Sequence, residues 1–238
     1  MRDTGELTIR AKLESMARDM GATYFGIADL APARRSTTEQ GGEFLARFPR
    51  AVSHGFVLID GIVDTLVDHQ NIAVLHNYWY YVYRTVNPQL DSISLMLAQV
   101  LDEAGFQAFI VPSSQTVDRA RLTGVFSHKL AAHLAGLGWI GKSALLITPE
   151  HGPRVRWGTV LTDAPLETGI PMDEMCHDCS ACVKGCPAHA FTGQAFDKPK
   201  SRSEIFAAEA CDHYLSRRED LHRACGMCVY VCPFGRNK

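Results

Sequence analysis

All eight cysteines of this 238-residue chain lie between positions 176 and 232. The first four are spaced C-x2-C-x2-C-x3-C and are followed by a proline, which is the pattern that bacterial ferredoxins use for iron-sulfur clusters. Three thiolates at such short intervals can surround one cluster from a single loop, whereas the fourth is directed to a second cluster. The pattern therefore predicts a module that folds around two 4Fe-4S clusters.

The last cysteines repeat the end of this pattern, because Cys225, Cys228 and Cys232 are also followed by a proline, and Cys211 is the one that remains. If the cysteine before each proline serves the opposite cluster, the eight thiols divide into two sets of four. The predicted ligands of one cluster are Cys176, Cys179, Cys182 and Cys232, and those of the other are Cys186, Cys211, Cys225 and Cys228.

Zinc and disulfide bonds are the alternative uses of these cysteines. Two C-x2-C pairs would also bind zinc, but zinc sites do not require the overlapping triple or the C-x3-C-P endings. Disulfide frameworks are typical of small secreted domains, and the first residues of this chain lack the apolar stretch of a signal peptide. His222 stands where the second run would have its first cysteine, so it is either a ligand or, given its charged neighbours, a solvated surface residue.

Charge and hydropathy exclude two classes of partner. The 24 Lys and Arg residues are balanced by 26 Asp and Glu residues, which does not produce the positive field that bulk nucleic-acid binding needs. No stretch approaches the roughly 18 unbroken apolar residues of a membrane span. We therefore expect a cytoplasmic protein with no membrane partner.

The part of the chain before the cysteines alternates helix-like and strand-like patterns, which predicts an α+β layered core that ends near residue 168. A ferredoxin needs no such core, so we expect it to hold a flavin, a corrinoid or a docking surface that exchanges electrons with the clusters. Two helices are predicted between residues 71 and 104, separated near Asn87 and Pro88. Other predicted helices cover 6–20 and 127–137, and predicted strands cover 23–28, 51–59, 107–112, 143–148 and 155–162.

Residues 127–143 read S-H-K-L-A-A-H-L-A-G-L-G-W-I-G-K-S, which resembles the A-G-L-G-W-x-G-K signature of epoxyqueuosine reductases. The resemblance extends over at least residues 127–233. It implies a nitroreductase-like core, residues 1–168, that binds base-off cobalamin against a ferredoxin-like double 4Fe-4S module, residues 169–238, as in reductive dehalogenases. Position 131 is alanine where the D-x-H-x-x-G corrinoid motif has aspartate, so we expect cobalamin without a protein imidazole ligand.

Candidate cofactor-binding residues lie in the glycine-rich segment and in a serine pair that follows the strand ending at Pro112. Glycines would let the backbone approach a bulky cofactor, although Gly136 and Gly138 could equally end a helix while Trp139 packs in the core. The serines would either bond cofactor amides or cap a turn. The candidates are Ser113, Ser114, Ser127, Lys129, Gly136, Leu137, Gly138, Trp139, Gly141 and Lys142.

The proton donor is less clear, because epoxyqueuosine reductases carry V-D-[ST]-x-P-x-L-E-R before the glycine segment and this chain does not. A gapless alignment places Leu122 at the family's acidic aspartate and His128 at its glutamate. The catalytic candidates are therefore His128, which titrates near neutrality, Asp118, which lies four residues before Leu122, and Tyr83, which has Arg84 beside it. Their alternative roles are a hydrogen-bonded helix residue, a loop cap and a core ring, respectively.

The function we expect is that of an iron-sulfur oxidoreductase. Electrons would pass from a low-potential donor, such as a ferredoxin or flavodoxin, through two 4Fe-4S clusters to a bound cobalamin, which reduces a small molecule or a modified nucleoside. Because the chain lacks the aspartate of the family, the resemblance does not decide whether its substrate is tRNA. The alternatives are an electron-transfer protein that reduces a partner's corrinoid without turnover of its own, and a reductase that binds FMN.

Overall fold

The computed structural model describes residues 8–196, 202–217 and 224–236. The strands are β1 (Tyr24–Asp29), β2 (Arg50–Val57), β3 (Ala108–Val111), β4 (Trp139–Ile140), β5 (Leu146–Ile147) and β6 (Val155–Thr162). The helices are α1 (Ile9–Asp19), α2 (Arg34–Gly41), α3 (Asp60–Asp64), α4 (Ile72–Trp79), α5 (Asn87–Glu103), α6 (His128–Leu134), α7 (Ala181–Lys184), α8 (Ala208–Ser216) and α9 (Met227–Tyr230). Short 3₁₀ segments cover Ala31–Ala33, Glu43–Arg47, Thr65–Asp68 and Arg202–Glu204.

The core is a four-stranded antiparallel sheet in the order β1-β2-β6-β3, with helices on both faces. Successive residues of a strand point to opposite faces, so neighbours in one strand enter different clusters. Val160 of β6 packs with α1 and α5 on one face, and the next residue, Leu161, packs with α6 on the other. The strands are buried on both sides, which accounts for their nearly continuous apolar sequence.

Local sequence signals fix several ends of these helices. Thr8 and Asn71 begin α1 and α4, because their side-chain oxygens accept backbone N–H groups of the first turn. Gly21 and Gly105 follow α1 and α5 with positive φ values of 96° and 84°, which glycine adopts without steric cost. The predicted ends of the first helix and of the helix before Gly105 are therefore confirmed.

The predicted break at Asn87 and Pro88 is wrong. A π-helical segment, Tyr80–Val86, joins α4 to α5, and the chain stays helical through the proline. Pro88 lies in the first turn of α5, a position at which a proline is tolerated. The wider π turn accommodates a residue pattern that would otherwise end the helix.

The cysteine-rich part packs on the core instead of hanging from it. Val229 and Tyr230, in α9, contact the apolar cluster formed by Leu66, Leu75 and their neighbours. Gly169, just past the proposed domain boundary, donates its N–H to the carbonyl of Ile27 in β1. Within the described ranges, no helix is both long and apolar enough to cross a membrane.

Candidate iron-sulfur centres and cofactor cleft

One cavity is surrounded by the four thiols that the spacing assigns to a single cluster: Cys176, Cys179, Cys182 and Cys232. Burial raises the pKa of the Cys232 thiol to about 12, and the charges of the other three raise it further. Cys232 therefore lies with Cys176, Cys179 and Cys182, and Cys225 and Cys228 do not line this cavity. This is the crossed arrangement expected of a two-cluster module.

The second set of thiols also lies together. Burial raises the pKa of Cys211 to about 11, with further contributions from Cys186 and Cys225. Burial raises the pKa of Cys228 as well, and the charges of Cys186, Cys211 and Cys225 raise it further. His222, the alternative ligand, lies outside the described residues. Each set supplies four sulfur ligands, the donor set of a 4Fe-4S cluster, and binding a cluster would release the protons of the thiols.

The glycine-rich segment contacts the first set of cysteines. The indole Nε1 of Trp139 donates a hydrogen bond to Cys176 Sγ at 3.4 Å. A Cβ on Gly141 would lie 3.1 Å from the same sulfur. The ammonium of Lys142 donates to the carbonyl oxygens of His177 and Cys179. The segment therefore holds the loop that carries the first cluster ligands.

Protein atoms also fill the space beside the other glycines of this segment. A Cβ on Gly136 would lie 2.5 Å from the carbonyl oxygen of Ile170, and one on Gly138 would lie 2.2 Å from that of Ile147. Leu137 packs between two apolar clusters of the core. At Gly136 and Gly138 the absent side chain thus makes room for the protein's own backbone.

Two adjoining cavities of about 250 Å³ each open near the carboxyl end of β3. Both include Ser113 and His128, so we describe them together as the cleft. Ser113 is fixed by its N–H bond to Asp91 and by its hydroxyl bond to the carbonyl of Asn87. The other lining residues are Val111, Pro112, Ser114, Gln115, Thr116, Val117, Leu122, Gly124, Val125, Phe126, Lys129, Leu145, Leu146, Pro153, Val155, Arg156 and Trp157.

His128 is held in the cleft by both ring nitrogens. Nε2 lies 3.0 Å from the carbonyl oxygen of Pro112, to which it can only donate, and Nδ1 lies 2.8 Å from the Thr159 hydroxyl. Ser127 caps α6 just before it. Burial lowers the pKa of His128 to about 4. His128 is therefore a neutral, positioned imidazole near pH 7, without a free nitrogen for a metal.

Two cations and an indole line the second cavity of the cleft. Burial lowers the pKa of Lys129 to about 8, and its ammonium donates to the carbonyl of Ala144. Arg156 donates to Asn87 Oδ1 at 3.1 and 3.2 Å. The Nε1 of Trp157 is buried and has no hydrogen-bond partner in the described structure.

The structure separates the other two catalytic candidates. The carboxylate of Asp118 accepts the N–H groups of Ala120 and Arg121 and pairs with the Arg121 guanidinium, so it caps a loop and does not line the cleft. Tyr83 lies in the π-helical segment with its ring 5.2 Å below the Arg156 guanidinium carbon. Arg156 connects Tyr83 to the lining of the cleft.

The second set of cysteines lies on the same side as the cleft. The charge of Cys228 acts on the pKa of both Lys129 and Tyr78, and the charge of Arg156 acts on Tyr78 as well. A Cβ on Gly226, between Cys225 and Cys228, would lie 2.8 Å from the Tyr78 ring. Tyr78 is therefore a buried ring that contacts the segment between Cys225 and Cys228 and feels the charge of Arg156.

Sequence reasoning missed Arg156, Trp157 and Tyr78 as site residues. Arg156 is a charged residue inside the apolar run V-R-W-G-T-V-L-T, and that interruption is the signal that could have identified it. Tyr78 carries no comparable signal, because a buried tyrosine in an aromatic block is most simply a core residue.

Comparisons with known proteins agree with the cysteine geometry. Residues 175–235 match the 4Fe-4S double cluster binding domain. An epoxyqueuosine reductase of Listeria monocytogenes is 36% identical over 126 residues, which are 48% of this chain and 31% of the relative. One from Synechococcus is 32% identical over 164 residues, 64% of this chain and 46% of the relative.

This chain is similar to epoxyqueuosine reductases over 48–64% of its length, and it matches a double 4Fe-4S cluster domain. It spans about a third to a half of the length of these curated relatives. The expectation of 4Fe-4S clusters is confirmed at the level of the matched domain.

Solved structures share the fold. An epoxyqueuosine reductase from Streptococcus thermophilus superposes with a TM-score of 0.58 at 16% identity, covering 98% of this chain and 67% of that one. A catabolic reductive dehalogenase superposes with a TM-score of 0.70 at 20% identity, covering 100% of this chain and 34% of that one. The predicted α+β core followed by a double-cluster module is confirmed.

His54 gives the core a pH dependence that can be measured. It is fully buried, its Nε2 lies 2.9 Å from Ser94 Oγ, and burial lowers its pKa to about 3. Since the unfolded state takes up a proton near pH 6.5 and the folded state does not, stability is complete above pH 6.5 and falls as the pH drops below it. We expect a loss of about 1.4 kcal/mol per pH unit for this one proton.

Anaerobic denaturation of the cluster-loaded protein between pH 7.5 and 5 measures this slope. His54→Gln should have a slope that is shallower by about one proton, because the titrating group is gone. The same slope in His54→Gln and in the wild type would contradict the prediction.

Proposed function

We propose that this protein is a reductase that passes electrons through two 4Fe-4S clusters to a corrinoid bound in the cleft. The observation that carries the proposal is that the segment between Cys225 and Cys228 packs against Tyr78, while the charge of Cys228 acts on Lys129 in the lining of the cleft. The other set would receive electrons from a low-potential donor such as a ferredoxin or flavodoxin. In this proposal residues 1–168 form the corrinoid-binding core and residues 169–238 form the cluster module.

The lining of the cleft suits a corrinoid, whose periphery carries amides and a phosphate. Lys129 and Arg156 are donors for such groups. His128 is the only histidine in the described lining, and both of its nitrogens are engaged. This supports a corrinoid that is bound base-off and without a protein imidazole.

When bound, a corrinoid supplies a cobalt centre that takes electrons one at a time and reduces the substrate. The chain's own residues would position the substrate and supply its proton. The Lys129 ammonium lines the cleft and holds its proton near pH 7, and Arg156 holds the phenol ring of Tyr83 behind the same lining. His128, neutral and bound at both nitrogens, would position and not donate.

The substrate class follows from the relatives and from what this chain lacks. The curated relatives are named for the reduction of epoxyqueuosine, and one related structure was solved with an epoxyqueuosine-modified tRNA stem loop. The family's aspartate is absent here, and Leu122 occupies its aligned position in the cleft. We therefore propose a small molecule or a modified nucleoside as substrate, with a proton donor that differs from that of the relatives.

An anaerobic titration of the cluster-loaded protein with hydroxocobalamin tests the proposal. We expect tight binding with a base-off absorption spectrum, and about tenfold weaker binding by Arg156→Met, which loses one charge-assisted contact. Arg10→Met, which removes an exposed arginine paired with Glu167, should bind like the wild type. A base-on spectrum, no binding, or tight binding of FMN instead would overturn it.

Turnover separates the reductase from the alternative of a corrinoid-reducing protein. With a chemical reductant and a small-molecule acceptor, the loaded protein should turn over on its own. If it only reduces the corrinoid of an added partner protein, the electron-transfer alternative is correct.

A further inference from the structure

The contact between Trp139 and Cys176 joins the signature segment of the core to a cluster ligand. Trp139 is 1% exposed. The only polar atom of its side chain, the indole Nε1, lies 3.4 Å from Cys176 Sγ. The Phe234 ring packs edge-on against it, with centroids 4.9 Å apart and planes at 78°. The indole N–H is therefore held in place and directed at the sulfur.

Lys142 brings a positive charge to the same loop. Its ammonium donates to the carbonyl oxygens of His177 and Cys179, which flank the first turn of the cluster loop. Glu174 acts in the opposite direction, because its carboxylate accepts the Cys176 N–H at 2.6 Å and places a negative charge nearby. The environment of Cys176 is thus a balance of two donors and one carboxylate.

We propose that Trp139 and Lys142 raise the reduction potential of the cluster bound by Cys176, Cys179, Cys182 and Cys232. Reduction adds negative charge to the cluster and its sulfurs, so an N–H donor and an ammonium stabilise the reduced form more than the oxidised form. Both act through the ligand loop and are positioning residues. This cluster then accepts electrons more readily from its donor.

The inference uses the cluster ligands of the proposed function but does not depend on the corrinoid. A protein that binds FMN, or no second cofactor, would show the same effect. Its failure and the failure of the corrinoid proposal are therefore separate results.

Trp139→Phe tests the N–H alone, because phenylalanine keeps an aromatic ring in the packing site. In an anaerobic redox titration followed by EPR, we expect one of the two midpoint potentials to fall. A tenfold change in the reduction equilibrium, about 59 mV for one electron, is the size expected for the loss of a hydrogen bond. The other potential and the iron content should not change. Trp79→Phe, which removes the indole N–H at the end of α4, should leave both potentials unaltered.

Lys142 has its own matched pair of variants. Lys142→Met should lower the same potential, whereas Lys142→Gln, which keeps a donor but not the charge, should lower it less. An unchanged potential in Lys142→Met, or a shift of the other cluster, would contradict the role of the ammonium.

A measurement on the unmutated protein covers the case in which Trp139→Phe loses its cluster. The chain is labelled with [15N-indole]tryptophan and the reduced protein is studied by pulsed EPR. We expect one 15N coupling to one cluster, and its loss in Trp139→Phe. Absence of that coupling in the wild type, or unchanged potentials in a fully loaded Trp139→Phe, would overturn the proposal.

Discussion

Cys232→Ala is expected to abolish the cluster that it shares with Cys176, Cys179 and Cys182. The cluster of the other four cysteines should remain. Cys232 lies around the same cavity as Cys176, Cys179 and Cys182, and their charges act on its pKa. Removing it leaves three thiols for that cluster, whereas the other set keeps all four. We expect the iron content to fall by about half and the protein to become less stable, since the ligands join the two halves of the module.

Cys186→Ala is the matched variant, because Cys186 also stands before a proline and serves the other set. The two proteins should lose similar amounts of iron but different clusters. The 15N coupling of Trp139 distinguishes them, since it should disappear in Cys232→Ala and persist in Cys186→Ala. Persistence of the coupling in Cys232→Ala would show that Cys232 binds with Cys225 and Cys228, and the crossed assignment would be wrong.

The cluster module could be predicted from the sequence because its chemistry is local. Cluster ligation fixes the number and order of the cysteines, so the spacing alone indicates two sets, and the matched domain confirms the cluster type. The strands of the core could also be predicted from the sequence. Their apolar runs are short and bounded by polar residues, and each predicted strand overlaps a strand of the structure.

The neighbours of the glycine-rich segment could not be predicted in the same way. A glycine indicates that something approaches closely, but the sequence does not say whether that is a cofactor or another stretch of backbone. Here Gly136 meets Ile170 and Gly141 meets Cys176, both of which are distant in the chain. The cleft was missed for a related reason, because Arg156 and Lys129 come from β6 and α6, and only the packing of the sheet brings them together.

Another segment of backbone lies very close to Gly152, so a substitution at this glycine should have a large effect on folding. This residue has a φ of 55°, and a Cβ there would lie 2.0 Å from the carbonyl oxygen of Phe234. Phe234 follows the Cys232-Pro233 pair, so the turn at Gly152 supports the segment that carries a cluster ligand. The contact joins two backbones, and side-chain rotation therefore cannot relieve the overlap.

Gly152→Ala is expected to cost at least about 3 kcal/mol, from overpacking and from the strain of a left-handed residue that is not glycine. The displaced segment should weaken the cluster that contains Cys232 before the other. Anaerobic denaturation and the rate of iron release to a chelator measure both effects. Gly61→Ala is the control, because no atom lies within 4 Å of the added methyl group and the residue is helical. It should be neutral or stabilising by up to about 1 kcal/mol. Similar behaviour of the two variants would show that the contact with Phe234 does not hold the cluster segment in place.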